Sequence, residues 1–151
     1  MTTGPQFSKA PNLNHVAMSM PADALDDAGR KAIVEFYGDV FGFTEYEMMT
    51  EDRKQLVLGA HTHEQFVFLI ADESPMTAPR LDHFGISVAS REDFDAVYQR
   101  AAAWRDREPD AVDLIEPSVE EYAGMLNLHS FYVRYRLPLM VETQWFEWTT
   151  A

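Results

Sequence analysis

The sequence predicts an α+β fold made of two βαβββ modules. Two observations predict it: a strand-length segment that recurs, and the same succession of helical and strand-like patterns after each copy. Leu13-Asn14-His15-Val16-Ala17-Met18-Ser19-Met20 recurs as Leu81-Asp82-His83-Phe84-Gly85-Ile86-Ser87-Val88, with Leu, His and Ser identical at matching places. Self-similarity on this scale marks a duplicated supersecondary unit. With 151 residues the chain is long enough for one ordinary domain. Residues 1–151 are therefore read as a single domain, with module one at about 12–72 and module two at about 80–148.

Each element follows from its own pattern. The recurring segments alternate as strands do. After the first, Pro21 to Gly29 reads as a loop. Ile33, Phe36, Tyr37, Val40 and Phe41 then fall on one face of a helix. Strand-like runs follow at Thr44–Thr50, Lys54–Gly59 and Glu64–Ala71. Phe66, Phe68 and Ile70 alternate with Val67 and Leu69, so this strand is apolar on both faces and expected at the centre of a sheet. Pro75 and Pro79 separate the halves. In the second half, Ser90 with Asp93 forms a capping-box-like start to a helix carrying Phe94, Val97, Tyr98 and Ala101. Strands are expected at Val112–Glu116, Leu128–Arg136 and Leu139–Glu147, with Ser118–Gly124 as a short helical turn or loop.

Charge and composition narrow the function. The chain has 12 Lys plus Arg against 25 Asp plus Glu, a net charge of −13. Such a surface repels phosphate, which argues against nucleic acid and anionic membranes as partners. The absence of cysteine excludes disulfides, thiolate ligands and a Cys nucleophile. No apolar run approaches the ~20 residues of a membrane span, and Met1 to Pro11 lacks a signal-peptide pattern. A cytoplasmic protein acting on a small molecule is the expectation.

Strand alternation locates a candidate site. Val16, Met18 and Met20 share a greasy face, as do Phe84, Ile86 and Val88. The opposite faces carry His15, Ala17 and Ser19, and His83, Gly85 and Ser87. Each histidine thus stands beside small residues, which leaves space above the sheet. A strand histidine alone is usually structural; its occurrence at equivalent places in both modules points to a ligand pair. In the last strand, Glu142 sits among Leu139, Met140, Val141 and Trp145. A carboxylate in such company needs a partner, a metal or a proton. Two histidines and one carboxylate with open positions suit iron(II), and also manganese, nickel or zinc.

The doubled βαβββ plan, with Leu-x-His opening each half and Glu closing the second, resembles the vicinal oxygen chelate superfamily. That group comprises glyoxalases, bleomycin resistance proteins and extradiol dioxygenases, and the resemblance covers about Asn12 to Trp148. It implies a cupped mixed sheet around a metal held by His15, His83 and Glu142. Glyoxalase I-like members add a fourth protein ligand from the last strand of module one. Here Gln65-Phe66-Val67-Phe68-Leu69-Ile70 has no acid at its centre, which favours three ligands. Ser130-Phe131-Tyr132, with Glu142 ten residues after the Tyr, resembles the extradiol dioxygenase signature. This implies that Tyr132 hydrogen-bonds the substrate. The usual Pro-x-Gly turn before the Glu is replaced by Leu137-Pro138-Leu139-Met140. Ser130, Tyr132 and Arg134 share a face by alternation. His129 is the candidate for an acid–base histidine, but alternation turns it to the opposite face unless a bulge intervenes. His61 and His63, in a predicted turn, are expected to be solvated or interfacial.

The expected function is a metal-dependent enzyme, iron(II) first among metals, with ring cleavage of a catecholic or vicinal-oxygen substrate as the leading chemistry. The alternatives are a metal-dependent lyase, isomerase or epimerase, and a metal-free drug-binding protein. Exposed strand edges and the C-terminal aromatic residues Trp145, Phe146 and Trp148 lead to the expectation of a homodimer.

Overall fold

The structure, a computed structural model, describes residues 8–49 and 54–149. Module one runs β1 (His15–Met20), a 3-10 turn (Ala22–Leu25), α1 (Asp27–Phe41), β2 (Thr44–Glu45), a 3-10 turn (Glu47–Met49), β3 (Gln55–Gly59) and β4 (Phe66–Ala71). Module two runs β5 (His83–Ser87), α2 (Arg91–Arg107), β6 (Val112–Tyr122), β7 (Leu126–Tyr135) and β8 (Met140–Trp148). The two modules repeat one topology. Their sheets are ordered β1-β4-β3-β2 and β5-β8-β7-β6, with the first strand parallel to the last and the other pairs antiparallel. β4 is an inner strand, as its two apolar faces require.

Local chemistry sets the helix ends. Asp26 caps α1 by accepting from the Gly29 amide at 2.8 Å, and Gly42 ends it in the left-handed conformation, φ 73°. Ser90 accepts from the Asp93 amide at 3.1 Å and starts α2 where the sequence places it. The segment Pro21 to Gly29 is not simply a loop. Ala22–Leu25 forms a 3-10 turn that packs so close to Gly29 that a Cβ there would collide with the Ala24 carbonyl.

Two further boundaries differ from the sequence expectation. Thr44–Thr50 is a strand only at Thr44–Glu45 before it turns, and Thr50 lies outside the described residues. Ser118–Gly124 is not a helical turn. β6 continues through Pro117 to Tyr122, with its register shifting between Ile115 and Ser118. That bulge absorbs the proline, which has no amide hydrogen for a regular ladder.

The apolar faces of both sheets pack on the helices. Met18, Met20, Leu56, Leu58, Val67 and Leu69 from one sheet and Phe131, Val133 and Val141 from the other join α1 and α2 residues in one buried cluster. Phe36 of α1 stacks on Tyr135 of β7 at 4.6 Å and meets Trp104 of α2 edge-on at 5.3 Å. The Tyr37 hydroxyl donates to the Tyr135 carbonyl at 3.0 Å. Turned away from this cluster is the open face of each sheet, where Val57 and Met140 are nonetheless buried and where His15, His83, Glu142 and Tyr132 stand. No helix among the described residues is long and apolar enough to cross a membrane.

Candidate metal-binding site

Strand register orders the open face of module two in rows. His83 of β5 lies beside Met140 of β8, and Arg134 of β7, in the same register, pairs with Asp113 of β6. The next row is Gly85, Glu142, Tyr132 and Ile115, followed by Ser87, Gln144, Ser130 and Ser118. Period-2 alternation therefore brings His83, Glu142 and Tyr132 together although they come from three strands.

Their side chains meet. His83 Nε2 lies 3.2 Å from Glu142 Oε2, and the Tyr132 hydroxyl donates to Glu142 Oε1 at 2.7 Å. The His83 ring meets Tyr132 edge-on at 5.1 Å between centroids. Glu142 is 8% exposed, and His83 and Tyr132 are the polar partners its carboxylate meets. His83 Nδ1 lies 2.8 Å from the Leu81 carbonyl, which can only accept. Nδ1 is therefore the nitrogen that donates to Leu81, and Nε2 is the one turned toward the carboxylate, the arrangement that orients ligating histidines. There is space above Gly85: a Cβ would make only ordinary contacts, 3.8 Å from both Glu142 Oε2 and Gln144 Oε1. The Tyr132 hydroxyl is pushed up to about 12, by burial first and by its bond to Glu142 second. It is a donor throughout the neutral range.

His15 stands apart from this cluster. It stacks on Phe66 at 4.8 Å, its Nδ1 2.8 Å from Asn14 Oδ1, and it is exposed on the edge of the other sheet. A cavity of about 940 Å³ has both His15 and His83 in its wall, with Phe66 and Gln65 on one side and Ser87 and Asp93 on the other. Among the described residues no three His, Asp or Glu side chains converge closely enough to hold an ion. Two members of the expected triad, His83 and Glu142, are together, and the third, His15, shares the cavity wall with His83 but not with Glu142. The donor types fit a divalent metal: a carboxylate, and two imidazoles whose Nδ1 positions are already occupied.

His129 is where alternation put it, on the helix-facing side. It is buried, its Nε2 lies 2.8 Å from Glu147 Oε2, and its ring packs on Trp145 at 4.5 Å. It therefore does not join the open face with Tyr132. The bulge that could have turned it lies in β6, not β7. Glu147 is held below the usual carboxylate range by His129 first and Asn127 second. His61 and His63 are exposed, and His61 reaches the cavity rim.

Sequence reading missed one feature of this face. Asp113 accepts from Arg80 Nε at 2.9 Å and Nη2 at 2.6 Å, and from Arg134 Nη2 at 3.1 Å. The Arg80 bond is the main reason its carboxyl is held below the usual range. The β6–β7 register sets Asp113 opposite Arg134, and Arg80 joins them from the segment before β5.

Comparisons with known proteins agree with the duplicated fold. A model of the Glyoxalase/Bleomycin resistance protein/Dioxygenase superfamily matches residues 13–108. Solved structures cover nearly the whole chain at low identity. A glyoxalase/bleomycin resistance protein/dioxygenase family enzyme from Burkholderia phytofirmans aligns with TM-score 0.60 and 17% identity over 91% of this chain and 100% of its own. A glyoxalase/bleomycin resistance protein from Albidiferax ferrireducens aligns with TM-score 0.59 and 14% identity over 88% and 98%. A lactoylglutathione lyase from Agrobacterium tumefaciens aligns with TM-score 0.57 and 17% identity over 91% and 96%. No curated protein matches the chain.

Proposed function

The chain belongs to the Glyoxalase/Bleomycin resistance protein/Dioxygenase superfamily, and from that membership and its second module we propose a metal-dependent enzyme acting on a substrate with two vicinal oxygens. The reaction proposed is cleavage of a catecholic ring. The observation that carries this is the His83–Glu142 pair at 3.2 Å, with His83 Nδ1 committed to Leu81 and Tyr132 bonded to the far carboxylate oxygen. A structural ion pair alone would not require the small residues beside it.

His83, Glu142 and His15 would hold the ion. When bound, a divalent metal such as iron(II) supplies Lewis-acid polarisation and a template for the reactants. The protein residues do the rest. Leu81 and Asn14 fix the two imidazoles. Tyr132, protonated at neutral pH, orients Glu142 through its one hydroxyl hydrogen and would turn that hydrogen to anionic oxygen developing on the substrate. Gly85 and Ser87 leave room for the substrate above the sheet. Two copies are proposed to associate, because β1 and β5 are both open sheet edges.

One observation favours a second reaction. His129 is tied to Glu147 on the far face, so the only histidine beside Tyr132 is the proposed ligand His83, and none is left to serve as acid–base. A lyase or isomerase that shifts a proton through Glu142 needs none.

Anaerobic purification, elemental analysis and oxygen uptake over a catechol panel separate these cases. Stoichiometric iron with oxygen consumption supports ring cleavage. Metal without oxygen uptake supports the lyase or isomerase. A chain that takes up no divalent metal would overturn both and leave small-molecule binding. Metal affinity should weaken as pH is lowered, because protons compete with the ion for the imidazole nitrogens.

A further inference from the structure

The Arg80–Asp113–Arg134 group lies on the same open face, one row from Glu142 and Tyr132. Its charges do not cancel. Asp113 is satisfied bidentately by Arg80, through Nε at 2.9 Å and Nη2 at 2.6 Å. Arg134 shares one of those oxygens at 3.1 Å and otherwise reaches only the Pro138 carbonyl at 3.4 Å. Two guanidiniums and one carboxylate leave one positive charge. A carboxylate locked in this way also fixes the direction in which Arg134 can point.

We propose that Arg134, held by the Arg80–Asp113 pair, anchors a carboxylate on the substrate; this deepens the metal-site proposal and rests on His83 and Glu142 marking where the substrate binds. The chain carries a net charge of −13, so its surface repels an anionic substrate and a local cation is needed to hold one. Arg134 and Tyr132 are alternate residues of one strand, roughly 7 Å apart along it. The substrate class is therefore an acid whose carboxylate stands about that far from its vicinal oxygens, such as a carboxylated catechol or a short hydroxy- or oxo-diacid. Arg134 is 27% exposed in its side chain, enough to be reached and little enough for the contact to matter.

Benzoate, benzyl alcohol and 3,4-dihydroxybenzoate test this by calorimetry or amide NMR shifts, on metal-free and metal-loaded protein. On metal-free protein benzoate, which has the carboxylate and no vicinal hydroxyls, reports on Arg134 alone. Benzoate should bind more tightly than benzyl alcohol, and added salt should weaken it. Arg134→Met should lower benzoate affinity about 10- to 100-fold, the range of a charge-assisted hydrogen bond, and leave benzyl alcohol unchanged. Arg80→Gln, on an exposed residue, should also weaken benzoate, because Asp113 then draws fully on Arg134. This variant keeps the test open if Arg134→Met fails to fold. Benzoate bound no more tightly than benzyl alcohol, or equally by the wild type and these variants, would overturn the proposal. If 3,4-dihydroxybenzoate gains nothing from metal while benzoate still needs Arg134, the metal site fails and the anion anchor stands.

Discussion

The open faces of the two modules share a frame and differ in chemistry. Two residues after His15, Ala17 pairs with Phe68, which pairs with Val57. Two residues after His83, Gly85 pairs with Glu142, which pairs with Tyr132. Position for position, module one has phenylalanine and valine where module two has the carboxylate and the phenol. Val57 is fully buried and Phe68 half-buried, so the first face is an apolar wall. Duplication preserved the histidine and its small neighbour, while the two inner strands diverged into a wall and a polar cluster.

The sharpest way to break this comparison is to remove equivalent residues from both faces. Glu142→Ala or His83→Ala should abolish turnover and metal uptake. Phe68→Ala should leave metal uptake intact and lower stability by about 1–2 kcal/mol, as expected for part of an apolar ring leaving its contacts. Chemical denaturation and elemental analysis on the same samples check both. The reverse pattern would mean that the faces have been assigned the wrong way round.

Tyr132→Phe should come next, lowering turnover about 10- to 1000-fold while metal content is unchanged. His129→Ala should act through stability, because it breaks the bond to Glu147 and leaves a hole beside Trp145 and Phe94. Steady-state kinetics beside thermal melts distinguish the two. A large kinetic effect at His129 with none at Tyr132 would contradict the strand faces.

Mixing His15→Ala with His83→Ala sharpens the comparison further. If the site joins one copy's first module to another's second, mixed dimers regain one intact site and activity partly returns. No recovery after refolding the mixture would place all ligands within one chain.

The smallest effect concerns pH. Asp113 has its carboxyl lowered, chiefly by Arg80. A lowered folded value contributes stability above the ordinary carboxylate range, and that contribution is lost as pH falls through the folded value. Asp113→Asn should therefore flatten the acid limb of stability below about pH 4. Urea midpoints measured from pH 2 to 6 would show it. An unchanged slope would mean that Arg80 and Arg134 add nothing to folding through this residue.

Much of this was legible from alternation. The recurring Leu-x-His segments, the buried faces of β1 and β5, and the position of His129 opposite Tyr132 follow from period 2 and tight turns alone. The continuation of β6 was not legible. Pro117 amid Glu116, Glu120 and Glu121 has the composition of a loop, and only pairing with β7 makes it a strand. The Arg80–Asp113–Arg134 group was hidden for the same reason. The separation of His15 from Glu142 depends on how two sheets sit about shared helices, which no local pattern encodes.

Anomalous diffraction at the iron edge, on crystals grown anaerobically with iron(II), tests the central claim most directly. The expected result is one peak at His83 Nε2 and Glu142, with the imidazole nitrogen roughly 2.0–2.3 Å from the ion and the Tyr132 hydroxyl still on Glu142. A peak elsewhere, or none at these residues with the metal in excess, would contradict it.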